Sequence, residues 1–243
     1  MKIILGKWTR DKLNHLIGES TGIKHAGERI DFLSRNFLDM DYRESTLIGD
    51  ADTPEAFVIN LKGVDCFTFI DYIEAMRISR SFADFKENLK KIRYREGRVS
   101  YKNRNHFFTD WRKFNSGLVH DCTEQTGKKM TRGITKLLNY REDGMYFLQG
   151  IEPVQREIQY IPSHSIDDSV IKKIKTGDYA GIYSEKEGLD VSHVGIIIKG
   201  MNSIYLRHAS SEKKHRKVID QDFKSYISGT PGLILLRPKK LRG

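Results

Sequence analysis

An apolar, strand-like run that leads into a helical pattern at Cys66 constrains the fold of this chain more than any other feature. Residues Ala56–Leu61 predict a short strand, and Asp65 is a favourable helix N-cap. From there, apolar residues recur at spacings of three and four, which predicts a helix with the cysteine on its inward face: Cys66, Phe69, Ile70, Ile73 and Met76. At the first helical position, the helix dipole and free N–H groups favour a thiolate. The pattern is equally compatible with a cysteine that is only a small core residue.

The remaining periodicity places helices early in the chain and strands late. Further helices are predicted over Arg10–Ile17 with Thr9 as cap, Glu28–Phe37, Phe82–Ile92, and after the capping-box-like Ser165-Ile166-Asp167-Asp168. Strands are predicted over Asp178–Ser184, Val191–Lys199, Ser203–Ala209 and Leu233–Arg237. Glycines divide residues 94–160 into short pieces, which predicts hairpins and loops. This order predicts an α+β fold, with an N-terminal helical region over 1–49 and a second domain over 50–243.

The chain is strongly basic, with a formal net charge of +10 at pH 7 and a pI of about 9.4. Such a surface attracts polyanions, among them nucleic acid, acidic lipid or an acidic small substrate. Residues 89–113 mix basic and aromatic side chains, which is compatible with a nucleic-acid surface, a sugar platform, or a solvated helix followed by a packed loop. No RNP, KH, zinc-finger or helix-turn-helix signature is present, so no nucleic-acid partner is expected.

The hydropathy of the chain indicates a protein that buries a core without entering a membrane. Hydrophobic residues make up 38% of it and the mean hydropathy is −0.53. No apolar run approaches the roughly 20 residues of a membrane helix, so no membrane insertion is expected. The apolar stretch in Met1–Gly6 is too short for a secretory signal.

The cysteines and histidines lack the spacing of a disulfide framework or a metal site. Cys66 and Cys122 are the two cysteines, and a bridge between them would occupy the proposed nucleophile. We interpret Cys122 as structural. The histidines show neither an HExxH motif nor paired-cysteine spacing, so neither a metal nor a cofactor is expected.

Two histidines in successive predicted strands are the second set of candidate catalytic residues in the sequence. Side chains alternate across a sheet, so His193 on Val191–Lys199 and His208 on Ser203–Ala209 can share one face. One imidazole then serves as a base and the other orients it through a ring N–H. Gly195 leaves space near His193, which suits a substrate cleft. Each histidine alone is also compatible with an ordinary core or surface residue.

Taken in order, these residues resemble the NlpC-type papain-like cysteine peptidases of bacterial cell walls. The cysteine opening a helix, Gly177-Asp178 before a strand, and Ser192-His193-Val194-Gly195-Ile196 on the next strand carry this resemblance. Four phrases are similar to a narrower subgroup, the N-acetylmuramoyl-L-alanine amidase-like proteins: Val58-Ile59-Asn60-Leu61, His106-Phe107-Phe108-Thr109-Asp110-Trp111, Gly188-Leu189-Asp190-Val191-Ser192-His193 and Arg207-His208-Ala209-Ser210-Ser211. The resemblance covers roughly residues 50–238.

The resemblance implies a papain-like hydrolase domain over 50–243 in which a Cys-His-His triad cleaves muropeptides. Cys66 would be the nucleophile, His193 the general base and His208 its orienter. The bond would be the amide between (anhydro-)N-acetylmuramic acid and L-alanine. The backbone N–H of Cys66 is one expected oxyanion donor, and the ordinary upstream Tyr-x-x-Gly phrase is not visible.

The resemblance also suggests subsites and a setting. Residues tentatively assigned to substrate binding are Asn60, Asp65, His106, Asp110 and Trp111. Asn60 is either a side-chain oxyanion donor or a residue that holds its loop, and Trp111 either lines a subsite or anchors a packed loop. We expect a monomer in the periplasm or cell envelope, although the chain as given shows no signal peptide, which leaves the cytoplasm open.

Three other functions fit parts of the sequence. A stem-peptide endopeptidase would use the same triad, and an acyltransferase or transglutaminase would replace water by an amine. A basic nucleic-acid-binding protein would use residues 89–113 and be independent of Cys66.

Overall fold

A large antiparallel sheet dominates the computed structural model, which describes residues 1–240. Its strand order is β4-β5-β10-β6-β7-β8-β9, and β3 pairs with the far end of β10. The strands are β1 Lys2–Ile4, β2 Val58–Asn60, β3 Val119–Asp121, β4 Arg132–Leu138, β5 Val154–Pro162, β6 Tyr179–Tyr183, β7 Val191–Lys199, β8 Ile204–Ala209, β9 Val218–Asp222 and β10 Gly232–Pro238. The last strand therefore lies inside the sheet, between β5 and β6.

The helices confirm the predicted α+β class and most of the predicted elements. They are α1 Arg10–Ser20, α2 Ala26–Arg35, α3 Cys66–Arg77, α4 Phe82–Arg93, α5 Phe108–Phe114, α6 Thr123–Gly127, α7 Asp168–Lys173 and α8 Phe223–Ser228. Thr9 caps α1 as predicted, because its hydroxyl accepts the Lys12 N–H at 3.1 Å. Within residues 1–240, no helix is both long and apolar enough to cross a bilayer.

Helix α3 begins at Cys66, as the sequence predicts, in a reciprocal cap. The Asp65 carboxylate accepts the Thr68 N–H at 2.7 Å, and the Thr68 hydroxyl accepts the Asp65 N–H at 3.0 Å. The helix does not have one inward face, because every residue from Thr68 to Arg77 is buried. Protein surrounds α3 on all sides, and its N-terminus is thereby held in place.

Buried ion pairs make this burial of α3 possible. Asp71 pairs with Arg93 of α4 at 2.8 Å, and Glu74 pairs with Arg77. The Tyr179 hydroxyl of β6 donates to Glu74 at 2.7 Å. Removing one partner of such a pair costs about 3–5 kcal/mol, since it strands a buried charge. The pairs therefore fix α3 against both α4 and the sheet.

The aromatic residues of the segment at 89–113 mostly pack inward rather than forming a platform on which bases could stack. Tyr94, Phe108 and Trp111 are fully buried, so their rings are inaccessible to the bases of a nucleic acid. Arg93 is buried against Asp71, and Arg104 pairs with Glu55. The packed-loop interpretation of this segment is the one that the structure supports.

Several elements differ from the sequence prediction. The loop region 94–160 contains the predicted hairpin, β4–β5, together with the unpredicted helices α5 and α6. Asp167 rather than Ser165 caps α7, because it is the Asp167 carboxylate that accepts the Val170 N–H, at 3.0 Å. The sequence analysis missed β1, which pairs in parallel with β2, and also β9 and α8.

The N-terminal helices share a core with the rest of the molecule. Leu13 and Ile17 of α1 and Leu33 of α2 belong to the same hydrophobic cluster as Phe69 of α3. The predicted boundary at 49/50 falls in a partly exposed turn, where the Asp50 carboxylate accepts the Thr53 N–H at 2.7 Å. The division into two domains stays a prediction.

Candidate active site

A cleft of about 320 Å³ lies where the N-terminus of α3 meets β7. Cys66 from the helix and His193 from the strand both line it. The other lining residues are largely apolar: Phe67, His106, Phe107, Phe108, Phe147, Leu148, Leu189, Asp190, Val191, Ser192 and Val194. The structure thus brings a thiol and an imidazole to one concave, mostly apolar surface, the usual setting of a ligand site.

His193 and His208 are hydrogen-bonded to each other, as the strand pattern predicts. Ile197 of β7 lies opposite Leu206 of β8, and this register puts both imidazoles on one face of the sheet. His193 Nε2 is 2.8 Å from His208 Nδ1. Among the described residues, nothing hydrogen-bonds His193 Nδ1, so that nitrogen is available to a reacting group.

Gly195 has a different use from the predicted one. A Cβ at Gly195 would stand 3.0 Å from His208 Cβ and 2.7 Å from Leu206 Cδ1. The space that the glycine leaves is therefore filled by His208 and its neighbour, and it does not enlarge the cleft. Gly195 allows the second histidine to approach the first.

Gln221 of β9 extends the histidine pair to a third polar residue, which the sequence analysis missed. His208 Nε2 is 3.1 Å from Gln221 Oε1. An amide oxygen only accepts, so His208 Nε2 carries a proton and its Nδ1 accepts from His193 Nε2–H. His193 Nδ1 is then unprotonated, which is the state that a general base needs.

Both histidines are neutral at physiological pH. Burial, with a smaller contribution from His208, lowers the pKa of His193 to about 3. Burial also lowers the pKa of His208, although its hydrogen bond with Gln221 opposes this. The pair therefore accepts a proton only if the reaction stabilises the resulting charge.

Cys66 is a thiol rather than the predicted thiolate. The residue is half-buried, but protein packs densely around the sulfur, and this burial is the main cause that raises its pKa, to about 12. The Asp65 carboxylate raises the pKa further. The predicted helical N–H groups do act in the opposite direction, joined by the Val194 N–H, but they are outweighed.

Two tyrosines that the sequence analysis did not select lie beside this site. Tyr42 forms a β-bridge with Val64, and burial is the main cause that raises its pKa to about 12, followed by the neighbouring Cys66 when that thiol is ionised. The ring of Tyr226, on α8, is 5.3 Å from that of His208 and 6.3 Å from that of His193. Both phenols are therefore neutral hydroxyl donors near the thiol and the imidazoles.

Asn60 and Asp65 shape the approach to Cys66 without lining the cleft. The Asn60 side chain accepts the Lys62 N–H at 3.1 Å, which favours the loop-holding role over the oxyanion role. The Asp65 carboxylate is used in the cap of α3. Neither residue is among those that line the cleft.

His106, Asp110 and Trp111 occupy three different environments. His106 lines the cleft, and its Nε2 is 2.8 Å from the Tyr101 carbonyl oxygen; burial lowers its pKa to about 4. Asp110 is buried outside the cleft. Trp111 is 0% exposed, and its indole N–H donates to Asp71 at 3.0 Å. Of the two roles predicted for Trp111, its burial and this hydrogen bond favour the anchor of a packed loop over the subsite residue.

A buried carboxylate immediately before β7 fixes the wall that contains His106. Asp190 accepts the Thr109 N–H at 2.7 Å and the Thr109 hydroxyl at 2.9 Å, and it also accepts the Val191 N–H at 2.8 Å. Phe107 at the start of α5 makes no side-chain cap, so Asp190 caps that helix from a distance. The cap ties the wall of the cleft to the strand that holds His193.

Within the described residues, the cysteines are unpaired and the potential metal ligands are scattered. Cys66 and Cys122 are both free, and the Cys122 thiol is buried 3.5 Å from the Leu235 carbonyl oxygen. Within residues 1–240, no three His, Cys, Asp or Glu side chains are grouped so as to hold a metal ion.

The family model described as AmiA-like, N-acetylmuramoyl-L-alanine amidase-like, matches residues 32–233. No curated protein sequence matches the chain.

Several solved structures are similar to this one. A Legionella pneumophila protein of a domain-of-unknown-function family shares 23% identity and the fold, with a TM-score of 0.79 over 94% of both chains. An N-acetylmuramoyl-L-alanine amidase from Bacteroides uniformis is 28% identical, with a TM-score of 0.73 over 88% of this chain and 99% of that one. A Bacteroides fragilis protein provisionally described as a xylanase is 26% identical, with a TM-score of 0.67 over 84% and 98%.

Proposed function

Because this chain belongs to the AmiA-like family of N-acetylmuramoyl-L-alanine amidase-like proteins, we propose that it is a cell-wall amidase. It cleaves the amide between (anhydro-)N-acetylmuramic acid and the L-alanine of muropeptides. The observation that carries the proposal is that Cys66 and His193 line one cleft and that His193 is hydrogen-bonded to His208. The same order of Cys, His and His supports a kinship with NlpC-type papain-like peptidases. A periplasmic or cell-envelope location fits this substrate.

The reaction begins with a neutral thiol and a neutral imidazole. As the Cys66 sulfur attacks the lactyl carbonyl carbon, its proton passes to His193 Nδ1. The imidazolium then gives that proton to the alanine nitrogen, the C–N bond breaks, and the stem peptide leaves. Water attacks the thioester, His193 takes its proton, and the returned proton restores the thiol as the acid leaves.

Charge separation in this step needs support, because the pKa values of the two groups oppose it. His208 accepts the Nε2–H of His193 and is itself held by Gln221, so the imidazolium is stabilised through two hydrogen bonds. The negative charge moves to the carbonyl oxygen of the substrate. The backbone N–H of Cys66 is the first donor to that oxygen, and the Tyr42 hydroxyl is the second.

The cleft favours acyl transfer over glycoside hydrolysis. A glycosidase needs two carboxyl groups flanking the bond that it cuts. Of the side chains that line this cleft, Asp190 supplies the one carboxylate, and its oxygens are engaged by Thr109 and Val191. An endopeptidase that cuts within the stem peptide would use the same thiol and histidines, so the products must separate the two activities.

The deciding experiment compares wild type, Cys66→Ala and Cys122→Ala on a defined anhydro-muropeptide, with products identified by mass spectrometry. Cys122→Ala is the matched control, because it removes a thiol that lies in the core. We expect free anhydro-sugar and an intact stem peptide from wild type and Cys122→Ala, and neither from Cys66→Ala. Cleavage inside the peptide would replace the amidase by an endopeptidase, and an active Cys66→Ala would refute the thiol mechanism.

A further inference from the structure

A second cavity, of about 360 Å³, adjoins the catalytic cleft, and we call it the cationic pocket. Phe107 lines both cavities. One loop also serves both, since Phe147 and Leu148 face the cleft and residues 150–154 line the pocket. A ligand that extends from the cleft along this loop therefore enters the cationic pocket.

The charge of this pocket is positive. Four of its side chains are cationic and two are acidic: Arg95, Lys102, Lys113, Arg156, Asp110 and Glu152. Its other lining is apolar and includes Phe114 and Ile151. The pocket thus offers several cations beside an apolar wall, in contact with the proposed active site.

Two of these cations are fixed in place by one buried carboxylate. Asp110 is 2% exposed, and its two oxygens pair separately with Arg95, at 3.1 Å, and with Arg156. The Arg95 guanidinium also lies over the ring of Phe114, 4.5 Å from its centroid. One carboxylate between two guanidinium groups leaves a fixed excess of positive charge.

Both guanidinium groups keep an unused donor. Among the described residues, the buried Nε atoms of Arg95 and Arg156 have no hydrogen-bond partner. A buried donor without a partner is unfavourable, so an acceptor that binds beside it stabilises the site. Guanidinium groups prefer carboxylates, which accept two parallel hydrogen bonds.

The proposed substrate carries such carboxylates on one side of the scissile bond. The lactyl carboxyl of the sugar is consumed in the amide, so the muramoyl half has no free acid. The stem peptide has free carboxylates from its second residue onward. In an extended peptide, the second and third residues lie about 7–11 Å beyond the first bond, a reach suited to a neighbouring pocket.

We propose that the cationic pocket binds the free carboxylates of the stem peptide. This proposal rests on the proposed function, because it takes the muropeptide as the ligand of the cleft. It fixes the direction in which the substrate lies, with the peptide running along residues 147–154 and the sugar on the opposite side of Cys66. Substrates whose stem carboxylates are amidated are therefore poor ligands.

The test measures peptide binding to the Cys66→Ala protein by calorimetry, so that it does not depend on turnover. The probes are the tripeptide L-Ala-D-γ-Glu-L-Lys and the same peptide with its glutamyl and terminal carboxylates amidated. We expect the peptide with free carboxylates to bind at least about tenfold more tightly than the amidated peptide, because its carboxylates accept charge-assisted hydrogen bonds. Lys102→Met/Lys113→Met, both exposed positions that leave the Asp110 pairs intact, should lower that ratio in part, and Arg95→Gln, which removes one guanidinium while Arg156 still pairs with Asp110, should lower it further.

The matched control is Lys12→Met, an exposed lysine on α1 that should leave the ratio unchanged. Equal affinity of the two peptides, or a ratio that is unchanged both in the lysine double variant and in Arg95→Gln, would overturn the proposal. Turnover separates this result from the proposed function. If the enzyme cuts the substrates with free and with amidated carboxylates equally well, the amidase assignment stands and the proposed role of the pocket is wrong. If the protein binds the peptide with free carboxylates selectively but cleaves no muropeptide, the role of the pocket stands and the amidase assignment is wrong.

Discussion

His193 and His208 meet edge to face, with ring planes at 90° and Nε2 of the first 2.8 Å from Nδ1 of the second. In this geometry one ring N–H points at the lone pair of the other ring. The direction of that hydrogen bond is set at the far end, where Gln221 accepts from His208. The tautomer of the proposed base therefore depends on a residue two hydrogen bonds away.

Replacing Gln221 should alter the rate without preventing folding. Gln221→Leu leaves His208 Nε2–H without an acceptor, so the pair can adopt the wrong tautomer, and we expect kcat to fall about 10–100-fold. Gln221→Glu keeps the acceptor and adds a negative charge, which raises the pKa of His208. Its activity should persist at neutral pH, with the acidic limb of the kcat profile moved to higher pH. Gln159→Leu, exposed on β5, is the control, and equal rates for all variants would remove Gln221 from the mechanism.

The raised pKa of Cys66 predicts slow alkylation at neutral pH. A thiol with a pKa of about 12 is almost entirely protonated at pH 7, and only the thiolate reacts with iodoacetamide. In Cys122→Ala protein, the rate should keep rising beyond about pH 9, where the rate of an unperturbed thiol levels off. Intact-mass measurements over time give the rate. A rate that is already constant below pH 7 would establish a resting thiolate.

The buried histidines predict a loss of stability in acid. The pKa of His106 is lowered to about 4 and that of His193 to about 3, whereas in the unfolded chain both are near 6.5. The unfolded state therefore takes up protons first, and the free energy of unfolding falls as the pH drops from about 6.5 toward 4. Each histidine contributes at most about 2 kcal/mol between pH 7 and pH 5.

Urea unfolding of wild type and His106→Gln at both pH values measures this effect. The variant removes one of the titrating groups, so its loss of stability between pH 7 and pH 5 should be smaller than that of wild type. The comparison cancels the contribution of the carboxylates, which titrate in both proteins. Identical losses would mean that His106 is protonated in the folded state.

Asp190→Asn should weaken both the fold and the cleft wall. The Asp190 carboxylate accepts three hydrogen bonds through two oxygens, whereas the asparagine side chain has a single oxygen that can accept. We therefore expect the free energy of unfolding to fall by about 1–3 kcal/mol. KM should rise, because His106 and Phe107 at the start of α5 lose their anchor. Asp167→Asn, at the exposed cap of α7, is the matched control, since Asn is as good an N-cap as Asp. Equal stability of the two variants would contradict the remote cap.

Local patterns predicted the elements that carry the proposed nucleophile and the histidine pair. The cap at Asp65 and the alternation around His193 are encoded by neighbouring residues, so helix α3 and strand β7 begin where the sequence places them. By contrast, α8 has six residues, too few to show a helical period, and its Tyr226 was overlooked. Gln221 was missed for a related reason, because β9 is recognisable only by its pairing with β8.

The remaining differences between the sequence prediction and the structure arise from the three-dimensional surroundings of individual side chains, which residue spacing does not reveal. The helix N-terminus favours a thiolate at Cys66, but burial and Asp65 raise its pKa, and neither magnitude is visible in sequence spacing. Trp111 lies in a phrase shared with the resembled subgroup, yet its indole packs in the core against Asp71. Composition cannot distinguish an aromatic ring that faces a ligand from one that faces a buried carboxylate.

The position of β10 has a consequence for synthesis on the ribosome. This strand is made after every other strand of the sheet, yet it is inserted between β5 and β6. Until it emerges, the backbone edges at Ile161 and Ile182 are unpaired, and they invite association with other nascent chains. The sheet that holds both histidines therefore reaches its full set of strand pairings only after residues 232–238 have been synthesised, and the facing edges of β5 and β6 wait longest for their partner.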